Sequence, residues 1–281
     1  MQGVVSAFFG GFGLALDTSD VGELQGRLEQ LPSGWRGFGW EGAAMALRIL
    51  DSLSWRSTDR IRRLLDGVGT RHEYLIHVGL GWAHARLPGR IVRGLRDVDP
   101  LLRSLAFDGY GFHEGLFATR RTHERRVQPR LDDGASHAFD QGLGRSLWFV
   151  SAFDSRVAAA RLSAFPAARR PDLWSGLGLA VAYAGGASEE DLELLHVSAG
   201  DLRPHLMQGI AFAVAARVRG RDPSPDTELV CRLLLGRDPE AVAAAVEGLR
   251  PRGPRAVAAS AYEGWRRAVR ESVCKDEVVH G

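Results

Sequence analysis

Gly42-Ala43-Ala44-Met45-Ala46 places a small residue four positions after a glycine, and the same register recurs along the chain. The other copies are Gly11/Ala15, Gly79/Ala83, Gly115/Thr119, Gly142/Ser146, Gly176/Ala180, Gly209/Ala213 and Gly264/Ala268. Positions i and i+4 share one face of a helix. Two small residues there let a neighbouring backbone approach closely, the geometry best known from membrane helices and equally usable in a tightly packed soluble stack. Recurrence at this spacing points to a repeated two-helix unit.

Amphipathic segments lie between the glycine helices. Val21 to Leu31, Thr58 to Val68, Asp154 to Phe165, Ser188 to Val197 and Thr227 to Leu235 each carry apolar residues at helical period. Ser188 with Asp191 forms a capping-box pattern, and Asp238-Pro239 reads as an N-cap followed by proline at the first helical position. Pro32-Ser33-Gly34, Pro88-Gly89, Gly185-Gly186, Pro223-Ser224-Pro225 and Pro251 to Pro254 punctuate the helices. No β-branched run with period-two alternation occurs. The expected fold is all-α: an αα-repeat solenoid of TPR- or HEAT-like helical pairs, or a curved two-half assembly, with roughly 14 to 17 helices at two per repeat. The whole chain, 1–281, reads as one helical domain. A duplication would divide it into halves at about 1–125 and 138–281, joined by a polar loop over 126–137.

Composition narrows the function classes. The 281 residues carry 36 basic and 34 acidic side chains, a net charge of +2. That balance argues against a nucleic-acid footprint, and the clusters Arg60/Arg62/Arg63 and Arg120/Arg121/Arg125/Arg126 read as solvated helix faces. Cys231 and Cys274 are far apart with no metal or redox spacing, which fits a reducing cytoplasm. Val4 to Leu16 is apolar but lacks a basic leader and falls short of the ~20 residues of a spanning helix. It reads as the first core helix, with a membrane-surface helix as the alternative.

Five stretches carry a resemblance to a known family: Trp35 to Met45 (WRGFGWEGAAM), Tyr110 to Gly115 (YGFHEG), Phe139 to Phe149 (FDQGLGRSLWF), Asp172 to Ala180 (DLWSGLGLA) and Ala261 to Trp265 (AYEGW). The chain resembles the UnbL-like family, a domain of unknown function from actinobacterial gene clusters for enediyne antibiotics. The resemblance spans about Gly34 to Trp265 and implies a cytosolic accessory protein of natural-product biosynthesis, acting on or carrying a long linear polyunsaturated intermediate. It supplies no catalytic residues.

Those must be sought in the residues themselves. Immediately before the repeat glycines stand Glu41, Val78, Glu114, Gln141, Ser175, Gln208 and Glu263; one place earlier stand Trp40, His77, His113, Asp140, Trp174, Met207 and Tyr262. If the glycine helices line a concave surface, these side chains converge from successive repeats, as ligand sites between helices do. The competing reading places the acids near helix starts, where the dipole favours them. The candidate catalytic residues are His113, Glu114, Asp140 and Glu41, with His113-Glu114 the leading acid/base pair. The candidate substrate-binding residues are Trp40, His77, Gln141, Arg145, Trp174, Gln208 and Tyr262, and Arg145 lies within helical reach of Asp140. No metal or cofactor is expected. His72, His77 and His84 lack a completing acid, Asp132-Asp133 and Asp97-x-Asp99 are incomplete as magnesium or protonating motifs, and no P-loop, dinucleotide fingerprint or nucleophile elbow occurs.

Three function classes follow. The first is a cyclase- or isomerase-like enzyme that encloses a polyene or isoprenoid chain and uses acid/base groups, a reading carried mainly by the resemblance; in its terpene-cyclase-like variant, aromatic walls stabilise a carbocation. The second is a non-catalytic helical scaffold for a biosynthetic partner enzyme or a labile intermediate. The third, nucleic-acid binding, is opposed by the charge balance.

Overall fold

Glycines set the spacing of the inner helices, and capped amphipathic segments return the chain between them. The computed structural model describes residues 2–54, 59–87, 95, 98–257 and 260–274. Thr58, the Pro88-Gly89 break and Asp97 lie outside the described residues. Among the described residues the chain is all-α, with fourteen α-helices and no strand.

The glycine helices are α1 (Gln2–Asp17), α3 (Arg36–Leu53), α5 (Glu73–Arg86), α6 (Arg103–Phe117), α7 (Asp133–Val150), α9 (Arg170–Ala184) and α11 (Arg203–Arg219). They stack in that order, each packing on the one before. The shorter α2 (Val21–Glu29), α4 (Arg60–Leu65), α8 (Ser155–Ser163) and α10 (Glu189–Ala199) lie between them along the chain; α12 (Pro225–Val230) follows α11, and α13 (Pro239–Gly248) and α14 (Ala261–Cys274) pack on α11. Local chemistry fixes the starts of several helices. Asp20, Asp132 and Asp154 accept backbone N–H bonds at the entrances to α2, α7 and α8, and Ser188 and Asp191 close a capping box on α10. Asp238 precedes Pro239 as expected but makes no side-chain cap bond. Because Asp132 caps α7, helix begins at Asp133, inside the segment read from sequence as a loop.

The stacking uses glycines in pairs. A methyl group at Gly79, Gly109, Gly142, Gly176 or Gly209 would strike the carbonyl oxygen of Glu41, Val78, Asp108, Gln141 or Ser175 on the preceding inner helix. A methyl at Gly81, Gly111, Gly144 or Gly178 would strike Ala106, Phe139, Leu173 or Leu206 on the following one. Residues i and i+2 of a helix point about 200° apart, so Gly79-Leu80-Gly81, Gly109-Tyr110-Gly111, Gly142-Leu143-Gly144 and Gly176-Leu177-Gly178 each press one glycine against either neighbour. The stack runs unbroken across the proposed joint between halves, where α6 meets α7 through Gly109, Gly111 and Gly142.

The stack also curls back on itself. The buried Arg217 at the end of α11 donates from Nη1 to the Gly34 carbonyl (2.8 Å) and to Asp222 (2.7 Å), and from Nη2 to the Tyr183 carbonyl. Asp222 accepts from the Gly34 amide (2.6 Å). Arg219 and Arg250 both reach Glu73 at the start of α5, and the Tyr74 hydroxyl donates to Glu247. The C-terminal part of the stack is thereby clasped to the N-terminal ends of α3 and α5.

Candidate functional site

With glycines fixing the two contact directions of each inner helix, the residue just before the first glycine lies between them, about 100° from it. These positions form a row: Glu41 on α3, Val78 on α5, Asp108 on α6, Gln141 on α7, Ser175 on α9 and Gln208 on α11. All are buried. The polar members are bonded along much of the row. The Gln141 amide donates to Asp108 Oδ2 (2.7 Å) and to the Tyr262 hydroxyl oxygen (3.1 Å). The Ser175 hydroxyl reaches the side-chain carbonyls of both Gln141 and Gln208 (3.3 Å each), and Arg270 also donates to Gln208. Arg145, one turn beyond Gln141, donates from Nη1 to Asp108 Oδ1 (2.5 Å), with its guanidinium 4.4 Å from the centre of the Phe112 ring.

Asp108 and Arg145 form part of the wall of a partly open cavity of about 50 Å³ between the inner helices. The remaining wall is mostly apolar, with Leu75, Val78, Leu105, Leu179 and Phe212 among it, plus the rings of Tyr74, Tyr183, Tyr262 and Trp265. Glu41 lies behind this wall. Its Oε1 accepts from the Trp82 indole (2.7 Å), while its Oε2 is buried with no partner. Burial pushes the Glu41 carboxyl up to about 7; the Arg145 charge and the Trp82 hydrogen bond oppose the rise and the Asp108 charge adds to it. Burial works against the Arg145 charge, but Asp108 and Glu41 outweigh it and hold the guanidinium protonated. The Tyr183 and Tyr262 hydroxyls are raised by burial and stay neutral.

Gln141, Arg145, Gln208 and Tyr262 thus belong to one network, with Glu41 coupled to it through Arg145 and Asp108. The other candidates lie elsewhere. Two positions before the glycine the helix has turned a further 100° or so, off the inner row. Trp40 accordingly donates to Glu29 (3.1 Å) and stacks on His72 with ring centres 4.7 Å apart. His77 binds back to the Glu73 carbonyl (2.6 Å), and Trp174 is buried in the main core. Asp140 is held by two nitrogens of Arg169 (2.8 and 2.5 Å), so the suggested Asp140–Arg145 pairing is replaced by Asp140–Arg169 and Asp108–Arg145. His113 and Glu114 touch each other (3.2 Å) at the C-terminal end of α6, where Glu114 also pairs with Arg121. Burial raises the Glu114 carboxyl, but His113 and Arg121 outweigh it and leave it below the usual range. Neither residue lines the cavity.

The small-residue register places the fourth repeat on Gly115 and so passes over Asp108. The helix ends at Phe117, so Thr119 is not its partner one turn on, and Gly115 meets the Ser146 side chain rather than a backbone. Gly109-x-Gly111, matching the glycine pairs of the flanking repeats, carries the correct register. Among the described residues no group of three or more His, Cys, Asp or Glu is placed to hold a metal, and no helix is long and apolar enough to cross a membrane.

Fold and site together define an all-α repeat protein whose curled stack walls an apolar cavity with a buried ion pair. The chain belongs to the family described as protein of unknown function (DUF1702), which it matches over residues 1–273. No curated protein and no solved structure matches it.

Proposed function

We propose that the protein is an enzyme of natural-product biosynthesis that holds a polyunsaturated chain in the central cavity and promotes its isomerisation or cyclisation by proton transfer. The observation that carries this reading is Glu41, a fully buried carboxyl titrating near neutrality and coupled to an Asp108–Arg145 pair in the wall of an apolar cavity. A group with pKa near the working pH is the best-suited store of a transferable proton. Moving a double bond needs one proton removed and one returned, with no net redox change. In this reading the Glu41 carboxylate takes the proton from one carbon through its unpartnered Oε2 and returns it to another, while the Tyr183 and Tyr262 hydroxyls, held neutral by burial, only position the chain. The polyene and the enediyne setting come from the resemblance to the UnbL-like family; the apolar lining supports a largely hydrocarbon ligand, and the cavity, about 50 Å³, must widen to enclose a chain.

The carbocation variant is less well supported. Arg217 lies 4.0 Å from the Tyr183 ring centre, and Arg250 lies 5.7 and 6.0 Å from those of Tyr74 and Trp265. Rings already polarised by a guanidinium are poor hosts for a second cation.

The test is metabolite mass spectrometry of a deletion strain complemented with wild type, Glu41→Gln or His113→Ala. Product is lost with Glu41→Gln at unchanged protein level and retained with His113→Ala; full product from Glu41→Gln overturns the reading. A scaffold role draws on the exposed rings of Phe9 and Phe117, 60% and 57% accessible. It predicts instead that Phe9→Asp abolishes product while Glu41→Gln does not.

A further inference from the structure

The unspent polar groups of the cavity wall are donors. Asp108 has both oxygens engaged, Oδ1 by Arg145 and Oδ2 by Gln141, so it keeps no oxygen wholly free for a ligand. Arg145, only 4% exposed on its side chain, engages a single nitrogen with that carboxylate. The Tyr262 oxygen accepts from Gln141, which leaves its own proton to give. The Tyr183 hydroxyl makes no hydrogen bond to any described residue. Three helices, α7, α9 and α14, therefore each present donor hydrogens to one otherwise apolar space.

We infer that the cavity, about 50 Å³ and partly open, takes the carboxylate head of a small apolar molecule, which seats on the free edge of the Arg145 guanidinium and on the Tyr183 and Tyr262 hydroxyls. This rests on the reading of the cavity as the ligand site and names the head group of that ligand. A guanidinium fork matches a carboxylate better than a hydroxyl or an alkene. An ammonium would sit against the Arg145 cation with only phenol oxygens left to accept from it, and a pure hydrocarbon leaves the donors without partners, which is costly in a dry site. Asp108 already neutralises Arg145, so an incoming carboxylate adds an uncompensated charge. Glu41 can offset it by taking up a proton. The groups facing Glu41 are Trp82 from α5, Asp108 from α6, Arg145 from α7 and Tyr183 from α9, and only Arg145 among them is cationic. Binding is therefore coupled to proton uptake and tightens as pH falls from 8 to 6, by up to about tenfold per pH unit above neutrality.

Calorimetric titration of the whole chain with octanoate and with 1-octanol, together with ligand-observed NMR of 1-octene, tests the assignment. Octanoate binds, more tightly at pH 6 than at pH 8, while any binding of 1-octanol is weaker and independent of pH. Tyr183→Phe weakens octanoate about threefold to tenfold. Asp108→Asn, which frees Arg145 of its neutralising partner, tightens it about tenfold, a gain that misfolding cannot mimic. Arg145→Met abolishes binding where it folds; where it does not, the other two variants decide. Octanol or octene bound as tightly as octanoate leaves the cavity reading standing and overturns the carboxylate. Asp108→Asn binding no better than wild type overturns the role of Arg145. Binding of none of the three overturns both this inference and the cavity reading.

Discussion

A carboxyl with one oxygen bonded to Trp82 and the other buried without a partner is an expense that the rest of the molecule must offset. The size of that expense at Glu41 depends on pH. Its native pKa, about 7, lies above the ordinary 4.5, so the folded state holds the proton more tightly than the unfolded chain. Stability contributed at this position falls as pH rises from 4.5 to 7 and is level above, a loss of about 3 kcal/mol. Buried histidines run the other way. Burial lowers His72 and His77, and takes His123 and His205 down to about 4, with nearby arginines adding to the shift at His205, so their contribution is complete above pH 6.5 and drains away in acid. Comparing Glu41→Gln with wild type cancels the histidines. The variant is more stable by urea denaturation at pH 8, and the difference shrinks toward zero by pH 4.5. Parallel curves across that range would show that Glu41 ionises freely in the folded protein.

At the scale of the helix, glycine acts by the side chain it lacks. The methyl of Gly142→Ala would strike the carbonyl oxygen of Asp108, a backbone atom that cannot rotate away. We expect a loss of about 3 kcal/mol in chemical denaturation. Gly264→Ala meets nothing within 4 Å on α14, and helix propensity alone should stabilise it by up to about 1 kcal/mol. Equal effects at the two positions would refute glycine-mediated stacking. The contrast also shows what the sequence exposed and what it hid. Helical class, repeat spacing and the small faces at Gly42, Gly79, Gly142, Gly176 and Gly209 were legible, because close approach demands them. The fourth repeat was not, because a rule requiring a small residue at i+4 passes over Gly109, which His113 follows at that distance. Asp108 went unseen with it. Spacing gives the angle between residues but not which angle faces the hollow, so it does not separate Trp40, His77 and Asp140 from the inner row. Gln141, Gln208 and Arg145 were found because they share the row or lie one turn along it, and Tyr262 because it precedes Glu263-Gly264, although that last glycine packs against nothing.

The molecule as a whole depends on contacts between parts distant in sequence. The clasp joins Gly34 to Arg217 and Asp222, 183 and 188 residues away, and its loop-closure entropy must be recovered by what it binds. Arg217 serves the Gly34 and Tyr183 carbonyls and the Asp222 carboxylate at once, and lies over the Tyr183 ring that walls the cavity. Arg217→Met keeps most of the side-chain volume but leaves Asp222, 1% exposed, as a buried charge without its cation. Removing one partner of such a pair costs about 3 to 5 kcal/mol. Arg217→Met/Asp222→Asn should recover part of that loss, since no charge is then stranded, but it does not restore the bonds to the Gly34 and Tyr183 carbonyls. Amide hydrogen exchange should accordingly quicken in both variants at Gly34 to Gly39 and at the C-terminal turn of α9, where Tyr183 sits, and remain slow in the centre of α7. If exchange there matches wild type, the curl is held by apolar packing alone and the cavity wall does not depend on the clasp.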